Sequence, residues 1–236
     1  MLLIHEVHQV RGAHEDDFEA AYRDAWLGEL AKGDDARLLY FMHLAHGSGR
    51  AYTVVTVTAA RDGAAWGRVA DRVQQGDLRS WARDTDQLRH GVQAKVMLPV
   101  PWAGAPVADL DAVPTEPGDH ELTLFMEDTA WPHEGMLDAY LQKAHDQYAP
   151  SLAEGRHGGR SMLELLSVLQ TAFGTGRRAE VVLWQRVTEP KRLLGLLYTE
   201  IPAEHRAPGT WMHDALEVRD DWESRLLRTT SWSPLS

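Results

Sequence analysis

The chain contains two similar halves, and this repetition limits what it can fold into. Residues 46–50 (HGSGR) are echoed by residues 173–177 (FGTGR), and a β-rich run follows each of them. Further upstream, His14 and His133 are each followed by glutamate, and each opens an amphipathic helical stretch. Because the matches occur in the same order in both places, we interpret the chain as a tandem duplication.

Hydrophobic periodicity predicts the same order of elements in both halves, namely β-α-β-β-α-β. The second helical region of each half is expected to be broken, near Gly76 in the first half and around 202–208 in the second. This order is the ferredoxin-like unit. The predicted ranges are 2–10, 16–31, 38–46, 51–59, 62–89 and 92–98, followed by 121–127, 136–152, 162–173, 179–186, 190–223 and 227–232.

The segment between the halves is rich in proline and glycine, which is typical of a linker. We therefore predict a first domain at 1–100, a linker at 101–119 and a second domain at 120–236. The strand patterns at 38–42 and 163–169 are apolar on both faces, so both faces should be covered. The predicted fold class is α+β, with two tandem ferredoxin-like βαββαβ domains packed sheet to sheet around a barrel-like cavity.

The opening strand, Ile4–Arg11, leads into Asp16-Asp17-Phe18, and with the strand Tyr52–Val57 it carries a family resemblance. The chain resembles the dimeric α+β barrel superfamily, in particular its NIPSNAP and antibiotic-biosynthesis-monooxygenase branches. The resemblance implies a pseudo-dimeric barrel with a small-molecule pocket between sheet and helices. It also implies cofactor-free chemistry on phenolic or polyketide substrates. Fused tandem members include ring-opening oxygenases and haem-binding chlorite-dismutase-like proteins.

Histidines on two strands are the candidate bases. Strand alternation places Glu6 and His8 on one face, and it places Phe41 and His43 on one face of the second strand. Burial among apolar neighbours would lower the pKa of a histidine and leave a neutral imidazole that accepts a phenolic proton. We predict His8 and His43 as catalytic bases and Glu6 as the group that orients them. The alternative is that each histidine is structural.

The predicted substrate is a small apolar or aromatic molecule, and the predicted substrate-binding residues are largely aromatic. The chain has nine tryptophans, and Trp184 lies on a predicted central strand. Aligning the two halves matches Glu127 with His8 and Gln170 with His43, so one specialised site is expected. The predicted set is Tyr40, Phe125, Glu127, Gln170 and Trp184.

Three functions stay open on these observations. The first is a cofactor-independent oxygenase that uses a buried histidine base, with no metal and no cofactor. The second is a non-enzymatic NIPSNAP-like module that binds an apolar ligand or partner. The third is a metal- or haem-dependent enzyme, with ligands such as Glu6 and His8, or with His205 or His213 as the axial histidine.

Composition excludes several other classes of protein. The net charge of −11 disfavours nucleic-acid binding, and the absence of cysteine excludes disulfides and thiolate chemistry. We see no targeting segment and no apolar run of membrane-spanning length, so we expect a cytoplasmic protein without a membrane partner. The glycine motifs lack the context of phosphate or dinucleotide loops. A homodimer is compatible with the sequence.

Overall fold

A computed structural model describes residues 1–157, 162–176, 178–195 and 198–236. Its eight strands close into one antiparallel barrel, in the order β1-β3-β2-β8-β5-β7-β6-β4. Each half therefore contributes one four-stranded ferredoxin-like sheet, as predicted. The strands are β1 (Leu2–Val10), β2 (Ala36–Leu44), β3 (Thr53–Ala60), β4 (Arg89–Pro99), β5 (Leu124–Trp131), β6 (Leu163–Thr171), β7 (Val181–Val187) and β8 (Asp221–Thr229).

Helices cover the outside of both sheets. The first connection of each half is one long helix interrupted by a π turn, at Ala21–Trp26 and again at Ala144–Tyr148. The α-helical segments are α1 (Glu15–Ala20), α2 (Leu27–Ala31), α3 (Gly63–Gln74), α4 (Arg79–Gln87), α5 (Leu137–Lys143), α6 (Ala149–His157), α7 (Pro190–Gly195) and α8 (Trp211–Asp214). α1 and α2 flank the first π turn, and α5 and α6 flank the second. Among the described residues, none of these helices has the length and apolarity that crossing a membrane requires.

Alternation along β1 decides which side chains meet the helices and which enter the barrel. Leu3 packs in the barrel core, and His5 follows it on that face. Ile4 packs on the opposite side, in the layer between the sheet and the helices, and Glu6 and His8 share its face. The prediction that Glu6 and His8 lie on the same face of β1 is therefore confirmed by the structure.

The inside of the barrel is filled by side chains, not by the cavity that the sequence suggested. Leu39, Tyr40, Phe125 and Trp184 meet there and are at most 3% exposed. The segment between the halves adds further apolar side chains to the same core, including the buried Leu110. The density of proline and glycine in this segment predicts a linker, so its packing into the barrel core could not be predicted from the sequence.

The two sheets join along two seams. β2 pairs with β8 at Met42 and Thr229, and β4 pairs with β6 at Met97 and Thr171. These seams leave the described barrel without an unpaired sheet edge, which protects it from pairing with other chains.

The order of elements is as predicted, but some boundaries in the second half are wrong. The fifth strand spans Leu124–Trp131, not 121–127, and the final strand begins at Asp221, inside the predicted helical region. Trp131 pairs with Asp221 and Ala130 with Trp222, so β5 supplies hydrogen bonds to a polar and exposed segment. Pairing with a neighbouring strand overrides local preference here.

Candidate functional site

A cavity of about 180 Å³ lies between the sheet of the first half and its helices. β1 and β3 form its floor, the π turn and α3 form its walls, and α4 with the start of β4 closes one side. Its lining is mainly apolar and aromatic with a few polar groups, which is typical of a small-molecule site. The lining residues are Ile4, Glu6, Tyr22, Trp26, Thr58, Trp66, Val69, Ala70, Val73, Gln74, Trp81, Ala82, Thr85 and Arg89.

Two tryptophans form a flat wall of this cavity. The rings of Trp26 and Trp81 are stacked, with centroids 4.4 Å apart and planes 12° apart. The indole N–H of Trp81 donates to the carbonyl oxygen of Ala21 at 3.1 Å, which fixes the α4 side of the stack. Trp66 is 41% exposed and lines the cavity near its opening. Such a wall suits a planar aromatic ligand.

Glu6 is the carboxylate of this cavity. It is half-buried because it lines the cavity, and burial raises its pKa above the ordinary value. The nearby Arg89 and a long hydrogen bond of 3.4 Å from the Thr56 hydroxyl partly oppose this rise. A carboxylate with a raised pKa in an apolar site is a stronger base than one in water.

His8 lies behind Glu6 and is fully buried. Arg89 Nη1 donates to His8 Nδ1 at 2.7 Å, and a guanidinium only donates. His8 Nδ1 is therefore the acceptor, and Nε2 carries the proton that it donates to Thr56 Oγ1 at 2.9 Å. Burial, with a further contribution from Arg89, holds the pKa of His8 well below its usual value, so the ring is neutral.

Tyr22 completes the polar part of the cavity. Its hydroxyl lies 3.4 Å from His8 Nε2, and burial raises its pKa well above the ordinary value. On the outer side, Arg89 Nε donates to Asp86 at 2.9 Å, which anchors the guanidinium that holds His8. The resulting chain runs from Asp86 through Arg89, His8 and Thr56 to the carboxylate of Glu6.

Comparison with known structures reveals the fold. An anthrone oxidase-like protein superposes with a TM-score of 0.58 at 9% identity, covering 97% of this chain and 91% of that chain. A candidate monooxygenase from Lactobacillus acidophilus NCFM gives 0.57 at 8% identity, covering 99% and 96%. The chain has the dimeric α+β barrel fold. The fold that the sequence resemblance implied is thereby confirmed.

A mutant chlorite dismutase from Candidatus Nitrospira defluvii also has this fold, with a TM-score of 0.52 at 7% identity, covering 98% of this chain and 92% of that chain. No protein-family model and no curated protein matches the sequence. Because all these identities are low, the similarity defines the architecture of this dimeric α+β barrel and leaves its reaction to be argued from the site.

Of the predicted catalytic residues, the barrel brings Glu6 and His8 together but not His43. His43 shares their face of the sheet but lies over α1, where its Nε2 is 3.0 Å from Glu19 and its Nδ1 is 3.2 Å from Glu15. It is not among the residues that line the cavity. In this arrangement, His43 connects the second strand to the first helix.

The predicted substrate-binding residues lie apart from the cavity. Tyr40, Phe125 and Trp184 pack against one another in the barrel interior, with ring centroids 5.3–5.6 Å apart. Gln170 pairs with Leu98 at the seam between the sheets.

Glu127 was matched with His8 by sequence, but the two side chains face opposite sides of the barrel wall. Glu127 Oε2 is 2.7 Å from His5 Nε2 inside the barrel, whereas Asp128 lies on the helix side. A shift of one residue in register moves every side chain of a strand to the other face. Val54 and Val181 each lie seven residues after the first glycine of the repeated motif, and they pair with His8 and Ala130, respectively. The sequence alignment of the halves is therefore wrong by three residues here, an odd shift that exchanges the two faces.

The helix side of the second half carries a related polar cluster. Gln185 Nε2 donates to Asp128 Oδ2 at 2.9 Å, and the Tyr148 hydroxyl donates to Gln185 Oε1. Burial raises the pKa of Asp128. Gln185 and Tyr148 are both buried, so a polar side-chain network occupies this position in the second half.

Sequence reasoning missed Arg89, Thr56, Tyr22, Trp26 and Trp81. Two of them carried a usable signal, since Tyr22 and Trp26 are four residues apart in a predicted amphipathic helix and thus share its buried face. Arg89 and Thr56 carried none, because their contact with His8 depends on the pairing of three strands.

The cavity residues do not fit a haem ligated by histidine. The described lining contains no histidine, and His213 instead lies 2.9 Å from Asp214 on the surface of the second half. His205 is exposed. Across 1–157, 162–176, 178–195 and 198–236, no group of three or more histidine and acidic side chains is placed to hold a metal ion. The expectation that no cofactor is used stays a prediction.

Proposed function

We propose that this protein is an enzyme that removes a proton from a small aromatic substrate in the cavity of its first half, and that the resulting anion reacts with dioxygen without a cofactor. Glu6 is the base. The structural neighbours support an enzyme-like fold, and the site supports the proton transfer.

The observation that carries the proposal is the position of Glu6. It is the carboxylate among the described lining residues, it faces an aromatic wall, and burial raises its pKa. A base is most effective when its pKa approaches the working pH, and burial moves a carboxylate in that direction. The sequence analysis predicted His8 as the base and Glu6 as the group that orients it. The proposal exchanges these roles, because His8 Nδ1 already accepts a hydrogen bond from Arg89 and is not free to accept a proton from the substrate.

His8 is a positioning residue in this proposal. Its neutral ring accepts a hydrogen bond from Arg89 and donates one to Thr56. The Thr56 hydroxyl in turn donates to Glu6. The network holds the carboxylate in place while the apolar walls exclude water, which strengthens its interaction with the substrate proton. The positive charge of Arg89 also favours an anionic intermediate close to it.

The deciding experiment replaces Glu6 with Gln, which keeps the shape of the side chain and removes the base. We expect Glu6→Gln to lower turnover of a phenol panel at least about 100-fold, because general-base catalysis contributes on that scale. Oxygen uptake and exchange of substrate C–H for deuterium are both measured. In wild-type protein, the rate should fall as the pH drops through a pKa above the ordinary value of 4.5 for glutamate.

Stability provides the control for this variant. Because the folded-state pKa of Glu6 is raised, its contribution to stability is present at low pH and lost as the pH rises through that pKa. Glu6→Gln should therefore melt at a higher temperature than wild type at pH 8, with a smaller difference at pH 4.

Unchanged turnover in the folded variant would contradict the proposal. Ligand binding without exchange or oxygen uptake in wild type would instead indicate the binding module.

A further inference from the structure

Two buried polar groups of the cavity lining have no hydrogen-bond partner. They are the indole N–H of Trp26 and the hydroxyl of Thr58, which belong to side chains that are 6% and 2% exposed. Leaving a buried donor unpaired costs about 1–3 kcal/mol, so such groups call for an explanation. Both residues line the cavity that holds Glu6.

The strand register places Thr58 and Glu6 at a defined separation. Glu6 pairs with Thr56, while Thr58 pairs with Ile4 and lies two residues further along β3 on the same face. Diagonal neighbours of this kind are about 7–8 Å apart. One substituted aromatic ring spans that distance, with one end near Glu6 and the other near Thr58.

The cavity volume limits the ligand to a similar size. An engineered cavity of about 150 Å³ in another protein holds one benzene molecule. The cavity described here has about 180 Å³, which is room for one ring with small substituents. Of the phenolic and polyketide substrates that the family resemblance implies, a polyketide with several rings would exceed this space.

We infer that the cavity selects single-ring aromatic compounds that carry an acceptor oxygen, which the Thr58 hydroxyl and the Trp26 indole N–H bind at the end opposite Glu6. This inference deepens the proposed function and rests on it for the identity of the site. A carbonyl or ether oxygen is a suitable acceptor, because the Trp26 indole N–H only donates and the Thr58 hydroxyl can donate as well. The ring then lies against the stacked pair Trp26 and Trp81.

The test compares acetophenone with α-methylstyrene, which has the same shape but a CH₂ group in place of the carbonyl oxygen. Dissociation constants are measured for wild type, Thr58→Val and Trp26→Phe by NMR of the indole N–H resonances. Thr58→Val should weaken acetophenone binding about 3- to 10-fold, the equivalent of one hydrogen bond, and should leave α-methylstyrene binding unchanged or tighter. Trp26→Phe also reduces the aromatic wall, so it should weaken both ligands, and acetophenone by about 3- to 10-fold more than α-methylstyrene. In wild type, only acetophenone should shift the Trp26 indole signal downfield.

Thr53→Val is the matched control. Thr53 lies on the same strand, is buried and donates to the carbonyl oxygen of Arg50 at 2.8 Å, but it does not line the cavity. It should leave both dissociation constants unchanged. Equal weakening of both ligands by Thr58→Val and by Trp26→Phe, or failure of wild type to bind either ligand, would overturn the inference.

These binding measurements do not require turnover, so they separate this inference from the proposed reaction. Glu6→Gln should still bind acetophenone more tightly than Thr58→Val does, even though it has lost proton transfer. If acetophenone recognition holds while Glu6→Gln keeps full turnover, the proposed reaction fails and the acceptor site stands.

Discussion

Glu6 and His8 are two residues apart on one strand, yet burial moves their pKa values in opposite directions. For the carboxyl group, burial opposes ionisation and raises the pKa. For the imidazole, burial opposes protonation and lowers the pKa. The two groups therefore have different roles. Glu6 can accept a proton, whereas His8 stays neutral and links Arg89 to Thr56 by hydrogen bonds.

Thr56 tunes this arrangement, because its hydroxyl stabilises the ionised form of Glu6. Thr56→Val should raise the pKa of Glu6 further, so that the acidic limb of the pH–rate profile moves to higher pH. We expect the rate on the plateau to change less than the position of the limb. The measurement is kcat/KM between pH 4 and pH 9.

Thr58→Val is the comparison for this prediction. Thr58 occupies the same face of β3 but pairs with Ile4, not with Glu6. Its replacement should change KM and leave the acidic limb in place. A limb that stays fixed in Thr56→Val would show that the hydroxyl does not act on Glu6.

At the scale of elements, the C-terminal segment ties the second half to the helix layer of the first. The indole N–H of Trp232 donates to Glu19 on α1 at 2.7 Å, and Trp232 packs on Phe41 with ring centroids 5.0 Å apart. Ser233 also accepts from the backbone N–H of Phe41, at 3.2 Å. A hydrogen bond from His43 lowers the pKa of Glu19, so this carboxylate is ionised near neutral pH.

Trp232→Ala should therefore lower the free energy of unfolding by about 3–5 kcal/mol, because Trp232 is only 5% exposed. Trp232→Phe should cost less, since it keeps the ring contact with Phe41 and loses only the bond to Glu19. Denaturation in urea measures both. Trp222, which is 49% exposed, provides the control, and Trp222→Ala should cost less than about 1 kcal/mol. Equal losses at Trp232 and Trp222 would contradict the docking of this segment.

At the scale of the whole molecule, a buried charge cluster crosses the barrel from one half to the other. Glu127 contacts His5 Nε2 at 2.7 Å and Arg225 Nη1 at 2.8 Å, and both His5 and Glu127 are completely buried. Burial alone would raise the pKa of Glu127, but His5 and Arg225 lower it to about 2. The two sheets therefore share a charged contact as well as an apolar core.

Glu127→Ala should lower the free energy of unfolding by about 3–5 kcal/mol at pH 7, because it removes the counter-charge of Arg225 and leaves the buried His5 Nε2 without its hydrogen-bond partner. The folded-state pKa of Glu127 is depressed, so its contribution is present above the ordinary pKa of 4.5 and is lost as the pH falls toward about 2. The difference between wild type and variant should shrink accordingly between pH 5 and pH 2, as urea midpoints would show.

Glu223 is the control for this cluster, because it also pairs with Arg225, at 3.0 Å, but is 49% exposed. Glu223→Ala should cost no more than about 1 kcal/mol. If Glu127→Ala and Glu223→Ala behave alike, the buried contact adds nothing to the stability of the barrel.

Local sequence patterns were enough to predict the duplicated ferredoxin-like order of elements and the placement of Glu6 and His8 on one face of β1. Both predictions are local, because strand alternation and helical periodicity depend only on residues that are close together in the sequence. The break at Gly76 is likewise local, and it separates α3 from α4 in the structure.

The side of the first sheet that holds the cavity depends on how the whole barrel packs. Both faces of the strands are apolar, so the pattern could not tell the barrel core around Trp184 from the helix layer around Trp26. The packing of the barrel also sets the tautomer of His8 and the partner of Glu127, because Arg89 and His5 reach them only through pairing between distant strands. Side-chain contacts of this kind depend on register, and register is settled when the whole barrel closes.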